Sequence, residues 1–288
     1  MKNIYTLGSL NMDLCIESPY MPAKGETIIG GNFLTNGGGK GANQATAASK
    51  LGGNVFMCGA VGDDDFGKTL KSNLSNAGVN VDCVKTVTGV STGIAVIILS
   101  QGDNRIILDK GANACITESD VDKFLSTAKQ GDIFLTQLEN PIEVIGYGLK
   151  KAKEKGLFTV LNPAPATVEI MPYLMWVDLI TPNETEMQIL GGKENLFVNG
   201  IKQVVITFGS KGYEISDQNS AKIFPCIDVK VVDTTAAGDT LCGGLAVGLS
   251  RGDTIENSCA YGSKAASIAC TRKGAQRSIP TEKEVKEY

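Results

Sequence analysis

Short blocks of apolar residues, rich in Val, Ile, Leu and Phe, recur at 4–7, 55–61, 133–138, 158–161, 179–181 and 204–208. They are too short for helices and read as buried strands. Between them, at 40–51, 66–76, 118–128, 142–155 and 184–190, apolar positions return every three or four residues, as on one face of a helix. Strand and helix patterns in alternation predict an α/β fold, a mostly parallel central sheet covered by helices. Two further helical stretches, 241–250 and 255–271, are rich in Ala, Ser and Gly, which predicts close helix–helix packing. The charge runs at 150–155 and 282–287 read as solvated helix faces.

Two segments break the alternation. The first, 14–36, carries Pro19, Pro22 and several glycines and has little helical period. The second, 92–109, has apolar residues at 93–99 and 105–108 on either side of Gln101-Gly102-Asp103-Asn104, a hairpin pattern. Extra strands added to an α/β core predict a small β lid, serving to cover a site or to join two copies. With no repeat, low-complexity tract or linker, residues 1–288 are expected to form one domain.

Composition narrows the function. A hydrophobic content of 42% with 20% charged residues fits a soluble enzyme with a sizeable core. No apolar run is long enough to cross a membrane, and no secretory signal is expected, so neither membrane nor export enters the reading. The net charge of −4 argues against nucleic acid as a main partner but not against ATP, since a local cradle of N–H groups binds phosphate on an acidic protein. The eight cysteines form no C-x-x-C and read as free thiols in a reducing, cytoplasmic compartment. There is no histidine. That excludes Ser-His-Asp and Cys-His nucleophiles and His-ligated zinc, and leaves acid–base chemistry to carboxylates, Lys, Tyr or Cys.

The run Asp233-Thr234-Thr235-Ala236-Ala237-Gly238-Asp239-Thr240 lies between a strand-like stretch at 230–232 and the helical stretch from 241. Glycine at a helix start lets backbone N–H groups approach an anion, and the helix end adds partial positive charge. A carboxylate at Asp239 completes what phosphoryl transfer to a hydroxyl requires: stabilisation of the moving group and a proton acceptor. The same residues also suit an ordinary N-terminal cap. Gly37-Gly38-Gly39-Lys40-Gly41-Ala42-Asn43-Gln44 opens a helix with exposed amides. It is not a phosphate loop of the Gly-Lys-Ser/Thr type, because Gly41 follows the lysine. Its match to a dinucleotide fingerprint is weak, because it does not open the first βαβ unit. With Asn43 beside it, the cluster suits either a polyol or a tight turn. Asn11-Met12-Asp13 follows the first strand, where ligands of α/β sheets sit, and is either a diol clamp or a turn. Thr181-Pro182-Asn183-Glu184-Thr185-Glu186 is a helix start whose Asn183 and Glu186 suit the waters of a magnesium ion. Glu139 stands at the same sheet edge, and Thr207-Phe208-Gly209-Ser210-Lys211-Gly212 is a strand end with a glycine-rich turn on which a nucleotide could lie.

Taken in order, Asn11 to Asp13, the Gly38 to Gln44 run, Asn162-Pro163-Ala164-Pro165-Ala166, Thr181 to Glu186, Asp233 to Thr240 and Thr271-Arg272-Lys273-Gly274-Ala275-Gln276 resemble the ribokinase family of sugar kinases, within the wider PfkB group. The resemblance spans nearly the whole chain. It implies a three-layer α/β fold with a β lid, and ATP-dependent phosphorylation of a furanose, ribose foremost, at its 5-hydroxyl. Asn11, Asp13, Gly39, Lys40, Gly41, Ala42, Asn43 and Glu139 would hold the sugar. Asp239 would accept the hydroxyl proton, and Ala237 and Gly238 would form the anion hole. Asn183, Thr207, Phe208, Gly209, Ser210, Lys211, Gly212 and Ser263 would lie along ATP, with Glu186 acting on Mg²⁺. Asp233, Thr235, Ala269, Arg272, Gly274 and Ser278 match a K⁺ site, mostly through main-chain carbonyls. The lid strands imply a homodimer. The chain departs from the family pattern at 191–203, which is short, and at Ser263, where a larger side chain is usual.

Overall fold

The computed structural model describes residues 1–101 and 103–288. The chain opens with strands β1 (Asn3–Leu7), β2 (Asn11–Ser18) and β3 (Gly31–Gly38), then α1 (Lys40–Lys50), β4 (Asn54–Gly62), α2 (Asp65–Asn76) and β5 (Asn80–Val87). Strands β6 (Gly93–Ser100) and β7 (Asp103–Asp109) follow, then a 3-10 turn (Gly111–Cys115), α3 (Glu118–Leu125), β8 (Ile133–Thr136), α4 (Ile142–Glu154) and β9 (Phe158–Leu161). The remainder is β10 (Leu179–Ile180), α5 (Glu184–Ile189), α6 (Gly192–Val198), β11 (Gln203–Thr207), β12 (Tyr213–Ser216), β13 (Ala221–Phe224), α7 (Ala237–Arg251), α8 (Ile255–Ala269) and α9 (Glu282–Glu287).

The central sheet has the order β13-β12-β11-β10-β9-β8-β1-β4-β5. It is parallel from β5 to β11, and β12 and β13 continue it antiparallel. The inner strands β1, β4 and β8 to β11 are buried on both faces, which is why they read as continuous apolar blocks. Successive residues of β1 supply both sides: Ile4 packs with Leu245, Val247 and Ala45, whereas Tyr5 packs with Phe124, Ile145 and Leu149. Helices α1, α2, α7, α8 and α9 thus cover one face, and α3, α4, α5 and α6 the other. On α7 and α8 the small residues allow backbone contact, since a Cβ on Gly244 would lie 2.6 Å from the Gly262 Cα. Strand order reverses at β1, which lies between β4 and β8. A ligand crevice is expected at the carboxyl ends of strands around such a point.

A second sheet, ordered β3-β2-β6-β7, is formed by the two segments that break the alternation. The hairpin of β6 and β7 forms as expected, with Leu99 opposite Asn104, while Gly102 at its tip lies outside the described residues. Every described residue of β7 is exposed, including Ile106, Ile107 and Leu108, as are Phe33 and Leu34 on β3.

Two local expectations change, and one edge strand joins the sheet without having been expected. Asn11 to Asp13 is the start of strand β2 rather than a turn, because β3 and β6 pair with it on either side. The stretch 230–232 is not a strand: Val231 and Val232 are exposed, and the N–H groups of Val232 and Asp233 both donate to the Cys270 carbonyl. Strand β5 at the sheet edge lacked a clear apolar block in the sequence and is held by its pairing with β4.

Candidate functional site

The pairing of β2 with β3 sets Asn11 opposite Gly38 and Asp13 opposite Asn36. Residues two apart on a strand share a face, so Asn11 and Asp13 point together while Met12 packs into the core. A Cβ on Gly38 would lie 2.3 Å from Asp13 Oδ2, so only glycine leaves room for that carboxylate. Gly39 then takes a φ of 88° and caps α1 without a side chain. Glu139, beyond β8, closes the cluster. One of its oxygens accepts from the Ser9 hydroxyl, from Asn11 Nδ2 at 3.4 Å and from the backbone N–H of Lys40 at 3.2 Å. Asn113 fixes Asn11 in turn: its amide donates to Asn11 Oδ1 at 2.8 Å and to the Leu10 carbonyl, and accepts from the Leu10 N–H. A cavity of about 270 Å³ opens beside Asn11, Asn113 and Glu139, bounded by Leu108 of β7, by Lys110 just beyond that strand and by Thr167.

Asp239 enters from the first turn of α7 and is buried. Its Oδ2 accepts from Asn43 Nδ2 at 3.0 Å and its Oδ1 from Gln44 Nε2 at 3.0 Å, both on α1. Ala236 begins the helix in the left-handed region, at φ 59°, and no side chain caps it. The N–H of Ala237 bonds back to Thr234, while those of Gly238 and Asp239 have no partner among the described residues. A Cβ on Gly238 would meet nothing within 4 Å, so the space over these amides is open. The arrangement is an anion cradle with a carboxylate on its rim.

The electrostatics show how closely the charged groups converge. Burial, together with the charges of Glu139 and Asp239, raises Asp13 to about 7. Burial works against the Lys40 ammonium, but Asp239, Glu139 and Glu186 outweigh it and hold Lys40 above the ordinary lysine value. Burial, with Asp239 adding to it, also raises Glu186, against the pull of the Asn183 N–H and of Lys40. The buried Cys242 thiol is pushed up to about 12 by desolvation and lies 3.3 Å from the Thr181 hydroxyl. It is a packed side chain and not a nucleophile.

Asn183 and Glu186 form a reciprocal cap on α5: each side chain accepts a backbone N–H of the other at 2.8 Å. A parallel bridge links Asn183 to Thr207, where β11 ends in the turn Gly209–Lys211, with Gly212 at φ 100°. Ser263 is buried on α8, away from that turn in sequence, and among the described residues no hydrogen bond joins Ser263 or Thr207–Gly212 to the Asp239 cluster. The loop before α7 and the loop after α8 are brought together. Asp233 accepts from the Thr235 N–H and hydroxyl and from the Gly274 N–H at 2.9 Å, and these bonds hold it below the usual carboxylate range against its burial. The Ala269 carbonyl accepts the Arg272 N–H, the Arg272 guanidinium pairs with Glu284 at 2.7 Å, and Ser278 is buried close by in sequence. Among the described residues no group of three or more Cys, Asp or Glu side chains gathers to hold a metal.

Ser9, Asn113, Gln137 and Asn140, and Gln44 at the end of the glycine-rich run, belong to the site although none had a role in the sequence-based expectations. All are buried and hydrogen-bonded within or beneath the site. Buried amides at the ends of apolar strands were the available signal.

The chain matches the model of the pfkB family carbohydrate kinases over residues 1–282. It is 39% identical over 300 residues to a ribokinase of Haemophilus influenzae, covering 100% of this chain and 98% of that protein. It is likewise 39% identical over 291 residues to a ribokinase of Bacillus subtilis, covering 100% and 99%. A deoxyribokinase of Salmonella typhimurium is 33% identical over 300 residues, with 99% and 98% covered. The structure of Arabidopsis thaliana ribokinase complexed with ribose and ATP superposes with a TM-score of 0.88 at 31% identity, covering 99% and 98%.

Proposed function

The chain belongs to the pfkB family of carbohydrate kinases, and from that membership we propose that it transfers the terminal phosphoryl of ATP to the 5-hydroxyl of D-ribose, giving ribose 5-phosphate and ADP. The observation that carries the reading is the Asp239 carboxylate, held by Asn43 and Gln44 beside the unpartnered amides of Gly238 and Asp239. Asn11, Asp13, Asn43 and Glu139, with the backbone from Gly39 to Ala42, offer donors and acceptors to the sugar hydroxyls. Asp239 orients the 5-hydroxyl toward the phosphoryl group and takes its proton late, as a loose transition state permits. The amides of Gly238 and Asp239 stabilise the charge on the transferring group, whereas the Ala237 amide, expected from the sequence to share in the anion hole, donates to the Thr234 carbonyl. Asn183, Thr207 to Gly212 and Ser263 border the nucleotide.

Glu186, beside Asn183 and with one oxygen free of the capping bond, suits the water shell of a Mg²⁺. That ion would supply positive charge to the phosphates. The oxygens around Asp233, Thr235, Ala269, Arg272, Gly274 and Ser278 suit K⁺, which would stiffen the loop leading into α7. The exposed apolar residues of β7 and β3 support a homodimer through the second sheet, and a monomer by light scattering would overturn that. Eight unpaired cysteines support a cytoplasmic location, and no helix of the described residues is long and apolar enough to cross a membrane.

A second reading, 2-deoxyribose as the substrate, is favoured by the deoxyribokinase similarity. The deciding experiment is ADP formation with ribose, 2-deoxyribose, fructose and adenosine, with Mg²⁺ and either K⁺ or Na⁺. Ribose is expected to give the highest kcat/KM, with 2-deoxyribose lower by about tenfold or more, because a site built to bond a hydroxyl rejects the analogue lacking it. A preference for 2-deoxyribose would move the substrate and keep the chemistry. Binding without turnover on any sugar would overturn the kinase reading.

A further inference from the structure

We infer that Gln44 is a positioning residue for the proton acceptor: it holds the Asp239 carboxylate in its reactive orientation without touching either substrate. The inference rests on the reading of Asp239 given above.

Gln44 is fully buried on α1, in a stretch whose other buried side chains are chiefly alanines. Its amide nitrogen spends both hydrogens inside the protein, on Asp239 Oδ1 and on Asn162 Oδ1, each at 3.0 Å. Its amide oxygen accepts from Gln137 Nε2 at 2.6 Å. The direction of this chain is forced. Asn162 Nδ2 faces the Thr181 backbone carbonyl at 3.0 Å, and a carbonyl only accepts. The Asn162 oxygen must therefore face Gln44, and Gln44 must present its nitrogen to both acceptors.

The anchors of the network, Gln137, Asn162 and Thr181, stand just beyond β8, β9 and β10 and are buried. A Cβ on Gly8 would lie 2.2 Å from Gln137 Oε1, so the end of β1 presses on the far end of the same network. Asn43, the other partner of Asp239, is shared with Gln276 at 3.3 Å and faces the proposed sugar site, so it is free to change partners as substrates enter. Gln44 has no such alternative. It fixes one carboxylate oxygen and leaves the other for the hydroxyl.

The test is Gln44→Met, which keeps length and apolar bulk but removes both donors, with Gln44→Glu as a variant that keeps the shape and sets a carboxyl group against Asp239. Folding is followed by thermal unfolding, and ribose binding by calorimetry. Loss of one charge-assisted bond in the transition state is expected to lower kcat about ten- to a hundredfold, with the KM values for ribose and ATP within about threefold of the parent. Gln44→Glu should lose more. In an Asp239→Asn background Gln44→Met should add little. Unchanged kcat in both folded variants, a loss confined to KM, or a full additional loss in the Asp239→Asn background would each overturn the inference. Near-normal turnover of Asp239→Asn alone would instead overturn the reading of the base. If Gln44→Met does not fold, Gln44→Glu alone decides by the same readouts.

Discussion

Gly8 and Gly41 meet backbone to backbone. A Cβ on Gly41 would lie 2.5 Å from the Gly8 carbonyl carbon and 2.5 Å from the Ser9 nitrogen, and one on Gly8 would lie 2.6 Å from the Gly41 Cα. This contact seats the start of α1 on the end of β1 and lets the Ala42 N–H reach the Ser9 carbonyl at 2.9 Å. Neither side can yield without moving main chain. Gly41→Ala is therefore expected to cost about 1–3 kcal/mol of stability and to lower kcat/KM for the sugar, measured by denaturant midpoint and by steady-state kinetics.

Gly238 gives the opposite result. Nothing lies within 4 Å of an added Cβ, and the residue is in the first turn of α7. Gly238→Ala should leave stability unchanged or raise it by up to about 1 kcal/mol. A methyl group in the space over the amides should nonetheless lower turnover. A thermal shift assay beside a kcat measurement separates the two effects, and an enzyme both unfolded and inactive would contradict the open space.

Asp239→Asn keeps the side-chain volume and removes the proton acceptor. Fold and ATP binding should persist while kcat falls by about 10²–10⁴. Calorimetry with nucleotide and ADP release with ribose read the two halves of this expectation.

Asp13 gives a pH dependence with a definite sign. Burial and the neighbouring Glu139 and Asp239 charges raise it from 3.8 to about 7 in the folded chain. Between those values the folded state holds a proton that the unfolded state has released, so stability from this group falls as pH rises. It is fully present below the unfolded value and lost by the time pH passes about 7. Asp13→Asn should remove this component. Urea midpoints of the ligand-free protein at about pH 5 and about pH 8 should differ less for the variant than for the parent, and an equal difference would refute it.

Asp233 ties the loop before α7 to the loop after α8 through Thr235 and Gly274. Asp233→Ala should abolish any difference between K⁺ and Na⁺ in turnover while leaving ribose binding intact. Retained activation by K⁺ would place the cation elsewhere.

What the sequence by itself determined was whatever depends on near neighbours in the chain. The alternation of apolar blocks with helical periods specified the parallel sheet and its helices, and the glycine run before α1 and the single Gly238 in the first turn of α7 marked where backbone amides open toward a ligand. The segments that build the second sheet stood out by breaking that rhythm. The tertiary structure decided what depends on distant partners. Asn11 and Asp13 read from the sequence as either a diol clamp or a turn, and they lie on a strand because β3 and β6 flank them. Asn43 and Asp239 meet across 196 positions and Gln137 and Gln44 across 93. Gln44 closes the glycine-rich run that opens α1, but nothing local shows that its amide is buried. Its role appears only when the ends of β8, β9 and β10 converge beneath it, because a buried amide is defined by the partners that satisfy it, and those partners are assembled by the fold.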